Sequence, residues 1–136
     1  MVKTIGVVDG DRSVAKSIEL NLRKKGYEVR QFANPQEAYD GREGIDMFVS
    51  EVGNFMGYSG INGLDLTAKL NEEERKIPVL ILSGKAQDPD IFAGWDVSVA
   101  SYLTKPYDSI ELNVFIQRIF EDRERTKDYT LEDLEI

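Results

Sequence analysis

Apolar and polar residues are distributed along this chain in two alternating patterns, which predict five β-strands and five helices. Short runs rich in β-branched and aromatic residues predict the strands, at residues 4–8, 27–32, 45–50, 77–82 and 101–104. Apolar residues recurring every three or four positions predict the helices, at residues 13–22, 34–41, 64–70, 89–96 and from 109 onward. Each strand is thus followed by a helix, in the order (βα)5.

This order predicts an α/β fold with a doubly wound parallel sheet, because parallel neighbours require crossover connections that are usually helical. The strand order 2-1-3-4-5 fits such a sheet, with the chain reversing direction between strands one and three. Polar side chains follow four of the five strands: Asp9, Asp11, Glu51, Ser83 and Lys105. Since parallel strands end at one edge of the sheet, we expect these side chains to surround one pocket.

Composition narrows the functions that such a pocket serves. The 136 residues, 41% of them hydrophobic, suit one compact domain. The chain contains neither Cys nor His, which excludes thiolate catalysis, Cys-based zinc sites and a histidine general base, and we expect no enzyme. A formal net charge of −8 argues against nucleic acid as a partner. No long apolar segment predicts a signal peptide or membrane span, so a cytoplasmic location is expected.

Several segments resemble the receiver domain of the response regulators of two-component (phosphorelay) signalling in bacteria, the CheY-like receivers with a flavodoxin-like fold. They are VVDGD at residues 7–11, FVSE at 48–51, GLDL at 63–66, PVLILSG at 78–84 and YLTKPY at 102–107. The resemblance implies a receiver domain over residues 1–122, followed by an acidic extension at 123–136. Residues 121–136 carry a net charge of −4, and a continuation of the final helix into them is the alternative. The chain is expected to be a stand-alone receiver or a fragment.

The resemblance also implies roles for the residues at the strand ends, with two departures. Receivers carry a phosphoacceptor aspartate at the end of the third strand, where this chain has Glu51. They hold Mg²⁺ with an acidic pair after the first strand, where this chain has Asp9 and Gly10. Lys105 corresponds to the lysine that pairs with the phosphoryl group. Ser83 and Tyr102 correspond to the switch pair, a hydroxyl group and a mobile aromatic ring.

Three interpretations of Glu51 follow from the longer side chain. In the first interpretation, Glu51 remains a phosphoacceptor, although one extra methylene displaces the nucleophile by roughly 1.5 Å. Alternatively, its carboxylate imitates the phosphorylated state by reaching Lys105 and Ser83, with about half the charge of a phosphate. Third, Glu51 only pairs with Lys105 and has no role in signalling. No metal is expected, although weak Mg²⁺ binding by Asp9, Asp11 and Glu51 stays open; Asp11 serves equally well as a helix N-cap.

Two further regions are candidate binding surfaces. The predicted fourth helix, fifth strand and fifth helix form the face that receivers use for partners and homodimers, and this region contains Phe92, Trp95, Tyr102 and Tyr107. Residues 53–63 contain four glycines and predict a loop, about four residues longer than in typical receivers. Such a loop is either a flexible connection or a cradle for a phosphate. Tyr129, Leu131 and Leu134 form a possible docking motif in the acidic extension.

The interpretation favoured by these features is an atypical receiver, or pseudo-receiver, that works without phosphorylation through protein–protein contacts. The first alternative is a conventional receiver that tolerates Glu51 as its acceptor. The second is a sensor of a small ligand or nucleotide that uses the glycine-rich loop at residues 53–63.

Overall fold

A computed structural model describes residues 2–53, 55, 57–84 and 100–128, with side chains up to residue 125. Five parallel strands form one sheet in the order β2-β1-β3-β4-β5. The strands are β1 (Thr4–Val8), β2 (Glu28–Phe32), β3 (Met47–Glu51), β4 (Val79–Ser83) and β5 (Ser101–Thr104). The predicted strand order and parallel arrangement are therefore confirmed.

Four described helices flank the sheet: α1 (Arg12–Lys24), α2 (Pro35–Asp40), α3 (Gly63–Asn71) and α4 (Ser109–Asp128). Polar side chains cap the N-termini of α1 and α3. Asp11 caps α1, accepting hydrogen bonds from the backbone N–H groups of Ser13 and Val14. Asn62 and Asp65 form a reciprocal capping box at the start of α3.

Two apolar clusters fill the two faces of the sheet, because successive side chains of a strand point to opposite faces. One cluster joins the strands to α1 and α4 through residues such as Ile18, Leu22 and Ile116. The other joins them to α2 and α3 and is centred on Phe48, which is fully buried. With both faces covered, β3 and β4 end in the polar residues Glu51 and Ser83 at the carboxyl edge of the sheet.

The structure shifts two predicted strands toward their carboxyl ends. Ile45 and Ile77 are buried but precede β3 and β4, which instead extend to Glu51 and Ser83. The apolar pattern reports burial rather than strand pairing, so it misplaced these boundaries by one or two residues. Glu51 pairs with Leu82 in the ladder and is thereby fixed as the last residue of β3.

Two further predicted elements are the helix at residues 89–96 and the extension from residue 123. The predicted helix at residues 89–96 lies outside the described residues. Helix α4 continues to Asp128, so the extension predicted from residue 123 begins inside a helix. Arg123 donates a hydrogen bond to the carbonyl of Lys76, and Glu124 pairs with Lys3, so the helix stays in contact with the domain there. Nowhere in the described part of the chain is a helix both long and apolar enough to cross a bilayer.

Candidate functional site

The carboxyl edge of the sheet carries an open cavity of about 850 Å³. Asp9 follows β1, Glu51 ends β3 and Lys105 follows β5, so strand order alone brings these three side chains to one place. The other lining residues come from α1, its N-terminal turn and the loop after β3: Gly10, Asp11, Arg12, Val14 and Phe55. The predicted convergence is thus seen for Asp9, Asp11, Glu51 and Lys105, whereas Ser83, which was predicted with them, is not among the residues that line the cavity.

An ion pair between Lys105 Nζ and Glu51 Oε1 closes one side of the cavity. The Glu51 side chain is 17% exposed and that of Lys105 34%, so water screens the pair only in part. The backbone N–H of Lys105 donates to the carbonyl of Ser83 at 2.7 Å, which anchors the lysine beside the end of β4. Glu51 therefore has a cationic partner that is held by the neighbouring strand.

Asp9 forms the floor of the site and is only 4% exposed. Its Oδ1 accepts a hydrogen bond from the backbone N–H of Asp11 at 2.8 Å. Its Oδ2 is buried and accepts no hydrogen bond from any residue that the structure describes. Burial raises the pKa of the Asp9 carboxyl above its ordinary value, and the nearby Glu51 carboxylate raises it further, against the opposing effects of Lys105 and the Asp11 N–H group.

These oxygens do not fit the octahedral Mg²⁺ site of a receiver. Gly10 has no side chain, and the Asp11 carboxylate is turned toward the start of α1 as its N-cap. Glu51 Oε1 is engaged by Lys105. Within the described residues, no group of three or more metal-ligating side chains is close enough to hold a metal ion. Since Mg²⁺ tolerates little distortion of its ligand shell, one unpaired carboxylate is insufficient.

Ser83 and Tyr102, the predicted switch pair, lie on the same face of the sheet. Ser83 pairs with Thr104 in the ladder and Ile81 pairs with Tyr102, so the two residues are diagonal neighbours. Ser83 is buried, whereas Tyr102 is partly buried and packs against the cluster on the α2 and α3 face. Burial raises the pKa of the Tyr102 hydroxyl.

The aromatic residues predicted as a partner surface are divided by the sheet. Tyr107 packs against the α1 and α4 cluster, opposite to the face that holds Tyr102. Burial raises the pKa of Tyr107, and the carboxylates of Asp9 and Glu51 add to this effect, which places Tyr107 near the site. Phe92 and Trp95 lie outside the described residues. Tyr102 and Tyr107 thus do not form one patch.

The described residues of the glycine-rich loop pack against the end of β3. A Cβ atom at Gly63 would overlap the carbonyl oxygen of Glu51, so only glycine allows this approach. Phe55 is 8% exposed, and its ring meets that of Tyr58 edge-on at 5.9 Å between centroids. The Tyr58 hydroxyl donates to the carbonyl of Ile61 at 2.8 Å. The loop thereby places an aromatic side chain in the wall of the cavity.

Sequence reasoning missed Phe55 and Arg12 as cavity residues. Phe55 lies next to Met56 in the glycine-rich loop, and its apolar type was the one signal for it in the sequence. Arg12 is the first residue of α1 and is exposed, so its type and spacing gave no signal. Both side chains reach the cavity through loop and helix geometry rather than through strand order.

Comparisons with known proteins agree on one family. The sequence model of the response regulator receiver domain matches residues 5–117. The response regulator ArlR of Staphylococcus aureus is 29% identical over 117 residues, which cover 83% of this chain and 50% of ArlR. This chain therefore spans about half the length of that relative.

Solved structures extend this comparison to the fold. A putative response regulator from Chloroflexus aurantiacus is 29% identical, with a TM-score of 0.77 and coverage of 88% of this chain and 98% of the other. A CheY-like receiver domain protein from Methanospirillum hungatei has a TM-score of 0.80 at 19% identity, covering 93% of this chain and 99% of the other. The second similarity concerns the fold alone.

Proposed function

Because this chain belongs to the response regulator receiver domain family, we propose that it is an atypical receiver whose acceptor position is occupied by Glu51 and that it acts without phosphorylation. The ion pair between Glu51 and Lys105 carries this proposal. Glu51 ends the central strand β3 and engages the lysine that follows β5, the two positions that the family resemblance assigns to the acceptor and to the phosphoryl-binding lysine. A permanent carboxylate then stands in for a transient phosphate.

Two features of the site disfavour transfer of a phosphoryl group to Glu51. The nucleophile is engaged by a cation, and in-line attack requires a free, well-positioned oxygen. The oxygens that would hold the catalytic cation are missing at Gly10 and committed to a helix cap at Asp11. Glu51 also provides only about half the charge of a phosphate, so the state that it sets is an intermediate one.

Intact-mass spectrometry after incubation with acetyl phosphate and Mg²⁺ tests the proposal. The wild-type chain is expected to keep its mass. A Gly10→Asp/Glu51→Asp variant, which restores both carboxylates, is the matched control and is expected to gain one phosphoryl group. Phosphorylation of wild-type Glu51 itself would instead establish a conventional receiver that tolerates glutamate.

We further propose that the receiver signals through protein–protein contacts that include β5 and α4. Exposed apolar side chains on α4 support this surface: Ile110 is 73% exposed and Val114 is 38% exposed, one helical turn apart. Glu51→Gln is expected to weaken partner capture if the Glu51–Lys105 pair sets the signalling state. Pull-down with wild-type, Glu51→Gln and Ile110→Ser/Val114→Ser chains tests both parts, and equal capture by all three would contradict them.

A further inference from the structure

We propose that the cavity at the carboxyl edge of the sheet binds a guanidinium group, with Asp9 as its acceptor and Phe55 as its aromatic wall. The starting observation is Oδ2 of Asp9, which accepts no hydrogen bond from the described residues; Asp9 is 4% exposed and lines the cavity. A buried acceptor without a partner costs about 1–3 kcal/mol, and a donor entering the cavity would remove that cost.

The other charged side chains around the cavity are already occupied or exposed. Lys105 neutralises Glu51, and Asp11 caps α1. Arg12 also lines the cavity, but it is exposed to solvent, which screens its charge. Among the described lining residues, Asp9 is therefore the carboxylate with a buried oxygen that accepts no hydrogen bond.

The same residues favour an organic cation over a metal ion. Mg²⁺ requires about six oxygen ligands in near-ideal geometry, and the site offers too few. A guanidinium requires one carboxylate for its N–H donors and gains from an aromatic face. Phe55 lines this cavity and is 8% exposed, and its ring contacts that of Tyr58 edge-on.

The size of the cavity is also suitable. Its volume of about 850 Å³ lies within the range of roughly 300–1,000 Å³ that is common for ligand pockets. A second cavity of about 330 Å³ shares Asp9, Gly10 and Arg12 with the first. Gly10 lines both cavities beside Asp9 and adds no side chain to them. A guanidinium and its aliphatic stem can therefore enter together.

Titration of the ¹⁵N-labelled full chain with N-acetyl-arginine amide, followed by NMR, tests the proposal. We expect saturable shifts at the amides of Asp9 to Arg12 and of Glu51. N-acetyl-citrulline amide has nearly the same shape without the charge and is expected to produce no saturable shift. Equal responses to both compounds, or shifts confined to the opposite edge of the sheet, would overturn the proposal.

Variants of the chain identify the acceptor. Asp9→Asn is expected to weaken binding about tenfold or more, the effect of losing one charged hydrogen bond. Asp40→Asn, at an exposed carboxylate on the opposite edge, is the matched control and is expected to bind like wild type. Phe55→Leu keeps an apolar wall and is expected to bind more weakly because the aromatic face is lost. Unchanged affinity in both site variants would refute the assignment.

Two further probes separate the sources of the guanidinium. Agmatine represents a free small molecule, and a blocked Ala-Arg-Ala peptide represents an arginine side chain of a partner protein. Tighter binding of agmatine would indicate a small-molecule site, and tighter binding of the peptide would indicate a protein partner. Either result supports the guanidinium chemistry, and failure of both would refute it. These measurements do not involve phosphorylation, so their outcome is independent of the mass-spectrometric test of Glu51.

Discussion

Breaking the ion pair between Glu51 and Lys105 should reveal how much this pair contributes to the stability of the fold. Lys105→Met removes the cation and leaves the Glu51 carboxylate beside Asp9, both with little access to water. Removing one partner costs about 3–5 kcal/mol for a fully buried pair and about 0–1 kcal/mol for an exposed one. Since the Glu51 and Lys105 side chains are 17% and 34% exposed, we expect a loss of about 1–2 kcal/mol in unfolding free energy.

Replacing the other partner of the ion pair should cost less unfolding free energy. Glu51→Gln leaves Lys105 near the Asp9 carboxyl and partly in water, so its charge remains solvated. Urea unfolding of the two single variants and the double variant gives the coupling energy directly. We expect the loss for Lys105→Met to exceed that for Glu51→Gln, with a favourable coupling that added salt reduces only slightly. Additive losses, or a larger loss for Glu51→Gln, would refute the assignment of Lys105 as the partner that stabilises Glu51.

Three other predictions concern single residues of the site. Asp9→Asn should raise the unfolding free energy at neutral pH, because the raised pKa of Asp9 makes its ionised form costly. This gain should shrink as the pH falls through that raised pKa toward 3.8, so a gain in urea unfolding that is constant with pH would contradict it. Gly63→Ala should cost about 1–3 kcal/mol through overlap with the Glu51 carbonyl, whereas Gly53→Ala, with open space around its Cβ position, should be nearly neutral in the same assay. Asp11→Ala should cost about 1 kcal/mol in thermal unfolding through loss of the α1 cap, and Asp11→Asn, which can still cap, should cost little. Equal losses for the two Asp11 variants would point to a role for its charge.

Much of the fold follows from the sequence because strand and helix periods are local properties. The alternation of strands and helices restricted the chain to a parallel sheet, and the parallel arrangement brought Asp9, Glu51 and Lys105 to one edge. The capping role of Asp11 was recognisable from its position before an amphipathic helix. The contact between Glu51 and Lys105 was one of the alternatives that the sequence left open, because strand order places both side chains at the same edge of the sheet.

The first residues of the strands, and the face of the sheet on which a side chain packs, were less predictable from the sequence. Ile45 and Ile77 look like strand residues because they are apolar, but only ladder pairing shows that β3 and β4 begin later. Tyr102 and Tyr107 are close in sequence, yet the end of β5 lies between them and they pack on opposite faces. The sequence suggested one aromatic surface because both residues belong to the region that receivers use for partners. That resemblance carries no information about which face of the sheet a side chain takes.

The sequence by itself determined the order of the strands, the family and the meeting of Asp9, Glu51 and Lys105 at the carboxyl edge of the sheet. Tertiary structure alone decided that Lys105 engages Glu51, that one oxygen of Asp9 has no hydrogen-bond partner in the described part of the chain and that Phe55 lines the cavity. The physical reason is the range of the interactions. Periodicity and capping act within a few residues, whereas pairing and burial of these side chains depend on how segments distant in the chain pack together.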